Sequence, residues 1–378
     1  VISMIYLDYS ATTPVDERVL ESFNKVCLEY PGNANSIHSL GVKSNELVKA
    51  ATEQISEILH IKPSEIIYTS GASESNNLAI KGICEKYQNR GKHIITTKYE
   101  HSSIYGPISY LQNKGFDVSF VKQDKFGRVD IDDLKSLIRD DTILVSITSV
   151  NSEIGIINPI EEIANLLKNY PKVFFHVDMT QSIGKLNIDL RNIDLVSMSA
   201  HKIFGLKGIG LLIKKEKIAL EPIIHGGKST TVFRSGTPAL PLIVSLSKAL
   251  RLIYEDIDSN YNKVMKLNNN LKSRLEEFDG VYINSNEYCS PYVLNISVIG
   301  IKPETLVHAL EQYDVYISTQ TACSSSSTLS KAVLELTGDE KRASSSVRIS
   351  LSCITTQEEI DEFISIFEKC YKKLKELK

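Results

Sequence analysis

The chain has 378 residues, 42% of them hydrophobic and 24% charged, with 46 acidic against 43 basic side chains and a net charge of −3. This balance gives ample apolar material for a core, and no electrostatic footprint for nucleic acid or for an anionic membrane surface. No apolar run approaches the roughly 20 residues of a bilayer span, and the opening Val1-Ile2-Ser3-Met4 has neither a basic region nor an apolar signal core, so export is not expected and a cytoplasmic location is.

From Leu47, apolar residues fall at Val48, Ala51, Ile55, Ile58 and Leu59, the spacing of a helix. Residues 65–69 read as a strand that runs directly into Ser70-Gly71-Ala72-Ser73 and a helical stretch from Glu74. Further β-branched runs predict strands at 93–97, 118–121, 143–147, 173–177, 195–198 and 209–213, with helical segments such as 159–168 between several of them. Strands and helices alternating in this way predict an α/β fold, a mostly parallel sheet with helices on both faces. Such sheets bind ligands beyond the carboxyl ends of their strands. After about residue 255 the pattern changes to a long helix at 261–278 and mixed strands at 293–297, 315–318 and 347–351. A final amphipathic helix carries Ile360, Phe363, Ile364, Phe367 and Tyr371 on one face. The expected division is a large domain at 16–256 and a smaller α+β domain built from 1–15 and 257–378.

Six cysteines (Cys27, Cys84, Cys289, Cys323, Cys353, Cys370) are scattered without a CxxC pair, so neither a disulfide framework nor a zinc ribbon is expected. The eight histidines have no paired helical spacing that would supply a metal site. Three strand ends carry polar clusters. Thr69-Ser70-Gly71-Ala72-Ser73-Glu74 can offer backbone N–H groups to a phosphate, or be a plain helix cap. Asp178 ends the apolar run 174–177, where an ionised carboxylate needs a cation or donors to meet it. Lys202 follows Leu195-Val196-Ser197-Met198-Ser199-Ala200-His201. A partly desolvated lysine there can form a Schiff base, although a lone lysine is more often a solvated surface charge. A phosphate-binding turn, a buried aspartate and a strand-end lysine on one sheet edge together describe a pyridoxal phosphate site.

The sequence resembles the cysteine desulfurases of the fold-type I pyridoxal phosphate superfamily. The resemblance runs through residues 6–14, the 71–77 turn, Glu100-His101, 176–181, 199–202, Arg234-Ser235-Gly236-Thr237, Ala322-Cys323-Ser324 and Ser346-Val347-Arg348. It implies pyridoxal 5′-phosphate as cofactor, L-cysteine as substrate, a homodimer and a sulfur-acceptor protein. Lys202 would be the Schiff-base lysine, Asp178 the partner of the pyridine nitrogen, Gln181 a hydrogen-bond partner of the ring oxygen, and His101 the group stacked on the ring and active in proton transfer. Ala72, Ser73, Ser199 and His201 would hold the phosphate, joined by Thr237 from the neighbouring subunit. Arg348 would pair with the substrate carboxylate, and Asn33 matches an asparagine of the substrate site. Cys323, among small polar neighbours, would take the sulfur as a persulfide; without the resemblance it reads as an incidental exposed thiol. The other five cysteines are expected to be structural.

Three departures from the family pattern stand out. Ser152 occupies a position where an asparagine commonly touches the cofactor, so either Ser152 or Asn151 is expected to supply that contact. Ala34 and Thr321 stand where proline and serine are common. The sequence stops at Lys378, directly after its last helix, without the tail by which housekeeping desulfurases engage their scaffold. Delivery to tRNA or cofactor thiolation is therefore expected as readily as delivery to iron–sulfur assembly. The alternatives within the superfamily are an aminotransferase and a selenocysteine lyase; outside it, a non-catalytic scaffold. Gly205-Leu206-Lys207-Gly208-Ile209-Gly210 precedes a strand, the wrong context for a dinucleotide fingerprint.

Overall fold

The computed structural model describes residues 4–319 and 329–376. A short opening strand, β1 (Ile5–Tyr6), precedes the strands of the main sheet: β2 (Ile66–Thr69), β3 (His93–Thr96), β4 (Asp117–Phe120), β5 (Thr142–Thr148), β6 (Phe174–Asp178), β7 (Leu195–Ser199) and β8 (Gly210–Lys214). These seven lie in the order β2-β8-β7-β6-β5-β3-β4. All neighbours pair in parallel except at β8, which is antiparallel to both β7 and β2. β6 and β7 are buried on both faces, which is why they read as continuous apolar runs rather than as alternation.

Successive residues of a strand feed two different cores. Leu144, Leu195 and Leu212 pack with Leu78, Ile83, Ile104 and Ile108 on one face. Val145, Val196, Leu211 and Ile213 pack on the other with Val48, Ile55, Ile163, Leu246 and Leu250. The first face is covered by the helices Ala72–Tyr87 and Ser102–Gln112, the second by Ser39–Leu59, Ile160–Leu167 and Leu240–Glu255. The predicted strands are all present, with ends moved by one or two residues.

A third core gathers β1, the helix Ile257–Leu275, the sheet of β9 (Val281–Ile283), β10 (Val293–Val298) and β12 (Ser346–Ser350), and the helices Pro303–Glu311 and Gln357–Glu376. β11 (Val315–Tyr316) is shorter than the predicted 315–318: it pairs in parallel with the two residues of β1, after which Ser318 makes an isolated antiparallel bridge to Arg348 of β12. The long helix ends at Leu275, and Phe278 turns in to pack edge-on against Phe367 at 5.2 Å. A small fourth cluster, with Ile154 and Ile156 on one side and Ala332, Val333 and Ala343 on the other, ties the loop after β5 to the segment just before β12.

One cysteine expectation changes. Cys84, Cys289 and Cys370 are buried thiols and Cys353 is partly buried, but Cys27 lies on the exposed face of the helix Glu17–Glu29 and is not a core residue. Cys323 lies outside the described residues. Among the described residues no helix is long and apolar enough to cross a membrane.

Phe367 is fully buried between Phe278 and Phe363. Phe367→Ala is expected to lower the unfolding free energy by about 3–5 kcal/mol through the cavity it leaves, read from the midpoint of urea unfolding at unchanged slope.

Candidate active site

The carboxyl ends of β2, β5, β6 and β7 converge on a cavity of about 450 Å³. Its walls include Ala72, Ser73, His101, Ser152, Asp178, Gln181, Ser199, His201 and Lys202, nine of the thirteen residues expected at the site.

The turn after β2 is built by two glycines. Gly71 has φ +152°, a conformation that favours glycine, and caps the helix Ala72–Tyr87. A Cβ on Gly210 would stand 2.7 Å from the Gly71 Cα and 2.5 Å from the Met198 carbonyl oxygen, so the antiparallel β8 must be bare at that point. The helix start thereby comes to the mouth of the sheet with Ala72 and Ser73 facing the cavity and Ser199 beside them. Backbone N–H groups at a helix start favour an anion.

Lys202 closes the 3-10 turn Ala200–Lys202 that follows β7. Its Nζ donates to the carbonyl oxygens of Ser10 and, at 2.7 Å, of Ala11. Burial pulls its pKa down to about 7, with the positive charges of Lys185 and Arg348 acting in the same direction. The N-terminal segment fixes the surrounding turn as well. Thr13 Oγ1 donates to the His201 carbonyl and accepts from the Phe204 N–H, Thr12 Oγ1 meets His201 Nδ1 at 3.0 Å, and Gln181 Nε2 donates to the Ser10 carbonyl. Phe204 itself has φ +62°, a strained conformation for a non-glycine residue, held by these bonds.

Asp178, at the end of β6, is buried and fully engaged by donors. Its Oδ1 accepts from the N–H and hydroxyl of Thr180, and its Oδ2 from Asn76 Nδ2 at 3.0 Å. Beneath it His176 is wedged between the Ser146 and Ser197 hydroxyls, and burial lowers its pKa to about 4, so it is neutral. His101 caps the helix Ser102–Gln112, with Nδ1 accepting from the Ser103 N–H at 3.1 Å. Burial lowers its pKa too, leaving a neutral ring that carries its proton on Nε2.

Ser152 borders the cavity, whereas Asn151 turns away and accepts the N–H groups of Glu153 and Ile154 to shape the loop. Of the two candidates for that position, Ser152 is therefore the one within reach of a ligand. Three expected residues do not line the cavity. Thr237 lines a smaller neighbouring cavity with Ser70, Gly208 and Arg234. Asn33 lies in the exposed turn ahead of the helix Ser39–Leu59, its Oδ1 taking the Asn35 N–H. Arg348, 3% exposed, sits behind the wall, with Nη1 on the Ser152 carbonyl and Nη2 on Asp8, both at 2.9 Å. Cys323 is the fourth, outside the described residues.

Asp8, Asn76 and Glu100 fall within the family motifs, with no role expected for them from sequence. Asn76 and Asp8 are the direct partners of Asp178 and Arg348. Glu100 is deeply buried, accepts from Thr97 Oγ1 and the Thr148 N–H on one oxygen, and has no partner on the other. Burial raises its pKa to about 8, so it is a neutral acid at pH 7. Lys185, buried under the ring of Tyr292 with a pKa lowered to about 8, was also missed. At Asn76 and Glu100 the local sequence carries no signal of burial, because their neighbours are themselves largely polar, and Asp8 ends the short run Ile5-Tyr6-Leu7; only Lys185, after Ile183-Gly184 and before Leu186, interrupts a mainly apolar stretch.

Comparison with known proteins shows the family to which the chain belongs. The class-V aminotransferase family model matches residues 5–363. The cysteine desulfurase IscS of Buchnera aphidicola subsp. Acyrthosiphon pisum (strain 5A) is 42% identical over 382 aligned residues, covering 99% of this chain and 94% of that protein. A NifS/IcsS protein homolog of Lactobacillus delbrueckii subsp. bulgaricus is 40% identical, covering 97% of each. Among solved structures, a NifS-like protein superposes with a TM-score of 0.91 at 35% identity, over 98% of this chain and 99% of that one. The NifS-like protein from Rickettsia africae ESF-5 gives 0.87 at 30% identity with the same coverage. A parallel sheet ending in a lysine, an aspartate and an open helix start defines a fold-type I pyridoxal phosphate enzyme, and the chain belongs to the class-V aminotransferase family of such enzymes. Within that family it is a cysteine desulfurase.

The residues present suit the cofactor. Gln181 Oε1 is buried with no partner. Asp178 is a carboxylate fixed by three donors, and Lys202 supplies a buried amine.

Only the neutral amine attacks an aldehyde, so reactivity should rise with pH and level off once Lys202 is deprotonated. Capture of pyridoxal phosphate by cofactor-free protein, followed by the visible absorbance that develops, is expected to have its midpoint near pH 7. An ordinary lysine would give a rate still climbing at pH 9.

Proposed function

We propose that the cavity holds both cofactor and substrate, and that the enzyme converts L-cysteine to L-alanine while Cys323 takes the sulfur as a persulfide. The observation that carries this reading is the meeting of the Lys202 amine, the Asp178 carboxylate and the open start of the helix Ala72–Tyr87 on one cavity wall. In this reading Ala72, Ser73, Ser199 and His201 hold the phosphate, Asp178 keeps the pyridine nitrogen protonated, Gln181 meets the ring oxygen and Ser152 adds a contact at the rim. Pyridoxal phosphate, when bound, supplies the electron sink that acidifies the substrate's Cα proton and weakens its Cβ–S bond.

The protein's own groups do the rest. Lys202, near its pKa at pH 7, takes the Cα proton as general base. His101, neutral and bearing its proton on Nε2, relays protons at the ring face. Arg348 binds the substrate carboxylate; Asn33, off the cavity wall within its own subunit, is assigned to the substrate site by the family resemblance alone. The Cys323 thiolate attacks the substrate sulfur: the Cβ–S bond breaks, an S–S bond forms, and Cβ gains a proton to give alanine. Sulfur then passes to an acceptor protein, in iron–sulfur assembly or in thiolation of tRNA or a cofactor.

We further infer a homodimer, with Thr237 of each subunit serving the partner's phosphate site. Thr237 lies one cavity away from its own subunit's site, and the surface carries the large apolar side chains Leu28 and Ile37 at 84% and 97% exposure. The division into 16–256 and 1–15 with 257–378 follows the separate apolar cores. The free thiols among the described cysteines suit a cytoplasmic location.

The test is incubation with L-cysteine, assaying alanine and a persulfide on Cys323. Cys323→Ser is expected to keep the yellow chromophore and lose sulfide release, and Lys202→Ala to lose both. Undiminished turnover in Cys323→Ser would move the nucleophile elsewhere. Thr237→Ala is expected to weaken cofactor retention, and sedimentation velocity to report a dimer at micromolar concentration.

A further inference from the structure

The segment from Asp8 to Ala11 does more than cover Lys202. The Tyr6 hydroxyl bonds the carbonyls of Asp8 and Thr12, the Ala11 N–H returns to the Asp8 carbonyl, and the Ser350 N–H bonds the Leu7 carbonyl. These bonds fix the Asp8 backbone beside β12, two residues from Arg348. From there the Asp8 carboxylate reaches Arg348 Nη2 at 2.9 Å.

A guanidinium has five N–H donors. On Arg348 one bonds the Ser152 carbonyl, one bonds Asp8, and Nε is buried with no partner at all. Only one of these partners carries charge. Asp8 is thus the counter-ion of an almost fully buried cation, while the arginine retains donors for a second anion. Two anchors on two different nitrogens define the plane of the fork, which decides whether an incoming carboxylate meets paired, parallel donors.

We propose that Asp8 is the positioning residue of the substrate-carboxylate site: it neutralises Arg348, fixes its guanidinium plane against the Ser152 carbonyl, and so presets the fork for an α-carboxylate. The inference rests on the assignment of Arg348 to that carboxylate. A buried arginine without its counter-ion swings toward another acceptor, and preorganisation toward the substrate is lost. The effect of interest is the carboxylate-dependent one: Lys202 keeps its own bonds to Ser10 and Ala11, and the influence of the Asp8 charge on that amine acts alike on any incoming amine.

The experiment uses holoenzyme and two amines that differ only in the carboxylate, L-alanine and ethylamine, each titrated against the visible band of the bound cofactor. Asp8→Ala is expected to weaken L-alanine by roughly ten-fold or more and to leave ethylamine unchanged. The KM for L-cysteine should rise in parallel, with kcat changed much less. Asp8→Asn, which keeps an acceptor but loses the charge, should fall between and serves if the alanine variant does not fold. Unchanged L-alanine binding in the Asp8 variants, or equal losses for both amines, overturns the proposal. Arg348→Lys distinguishes the two levels. Selective loss of L-alanine there with none in Asp8 variants defeats the Asp8 role alone. Equal loss of both amines in Arg348→Lys defeats the carboxylate assignment and the inference with it.

Discussion

An ammonium group held away from water is expensive, and the local structure around Lys202 follows from meeting that cost without a carboxylate in direct contact. The lysine donates to two backbone carbonyls, and Lys185 and Arg348 add positive charge nearby. The amine is therefore poised to lose its proton near neutrality. Neutral amine is what reacts with a carbonyl and accepts a proton from carbon, so the same desolvation that strains the folded state supplies the reactive form. The neighbouring histidines, His101, His176 and His201, are all held toward the uncharged ring. Asp178 stands out as the carboxylate with a complete set of donors.

The carbonyls that receive Lys202 belong to a segment remote in sequence. Residues 8–13 touch Lys202, His201, Gln181 and Arg348, and their own position depends on pairing β1 with β11 and on the bond from the Ser10 N–H to the Ser350 hydroxyl. The site is thus built from a doubly wound sheet, which supplies strand ends, and from a strap tied to the other core, which supplies what those ends face.

Much of this was legible in the sequence where the controlling interactions are local. β6 and β7 announce themselves as apolar runs because helices cover both faces, and each ends in the residue that matters, Asp178 or the turn leading to Lys202. The glycine-marked turn at 70–73 is equally local. What did not show is pairing at long range. Asp8 is an unremarkable acid near the start, and its partner Arg348 lies 340 residues away. Asn76 reads as one more polar helix residue until β6 brings Asp178 against it. Burial was misjudged at Cys27, which has helical neighbours but faces solvent, and was not foreseen at Glu100, a charged residue type in a loop that is deep in the structure and protonated.

Strap and partners being so far apart has a consequence for synthesis. A chain emerging from its amino end offers Ser10 and Ala11 first, then Lys202, and only much later the strands at 315–316 and 346–350 that hold the strap down. At roughly 5–20 residues per second, the interval between lysine and strap anchor is on the order of ten seconds or more. Until those anchors exist, the bonds that hold Ser10 and Ala11 over Lys202 lack their support from the second core, and the amine stands closer to the solvated lysine that is protonated at neutral pH. Seating the strap is thus the step that completes the desolvation of Lys202, and it waits for the last third of the chain.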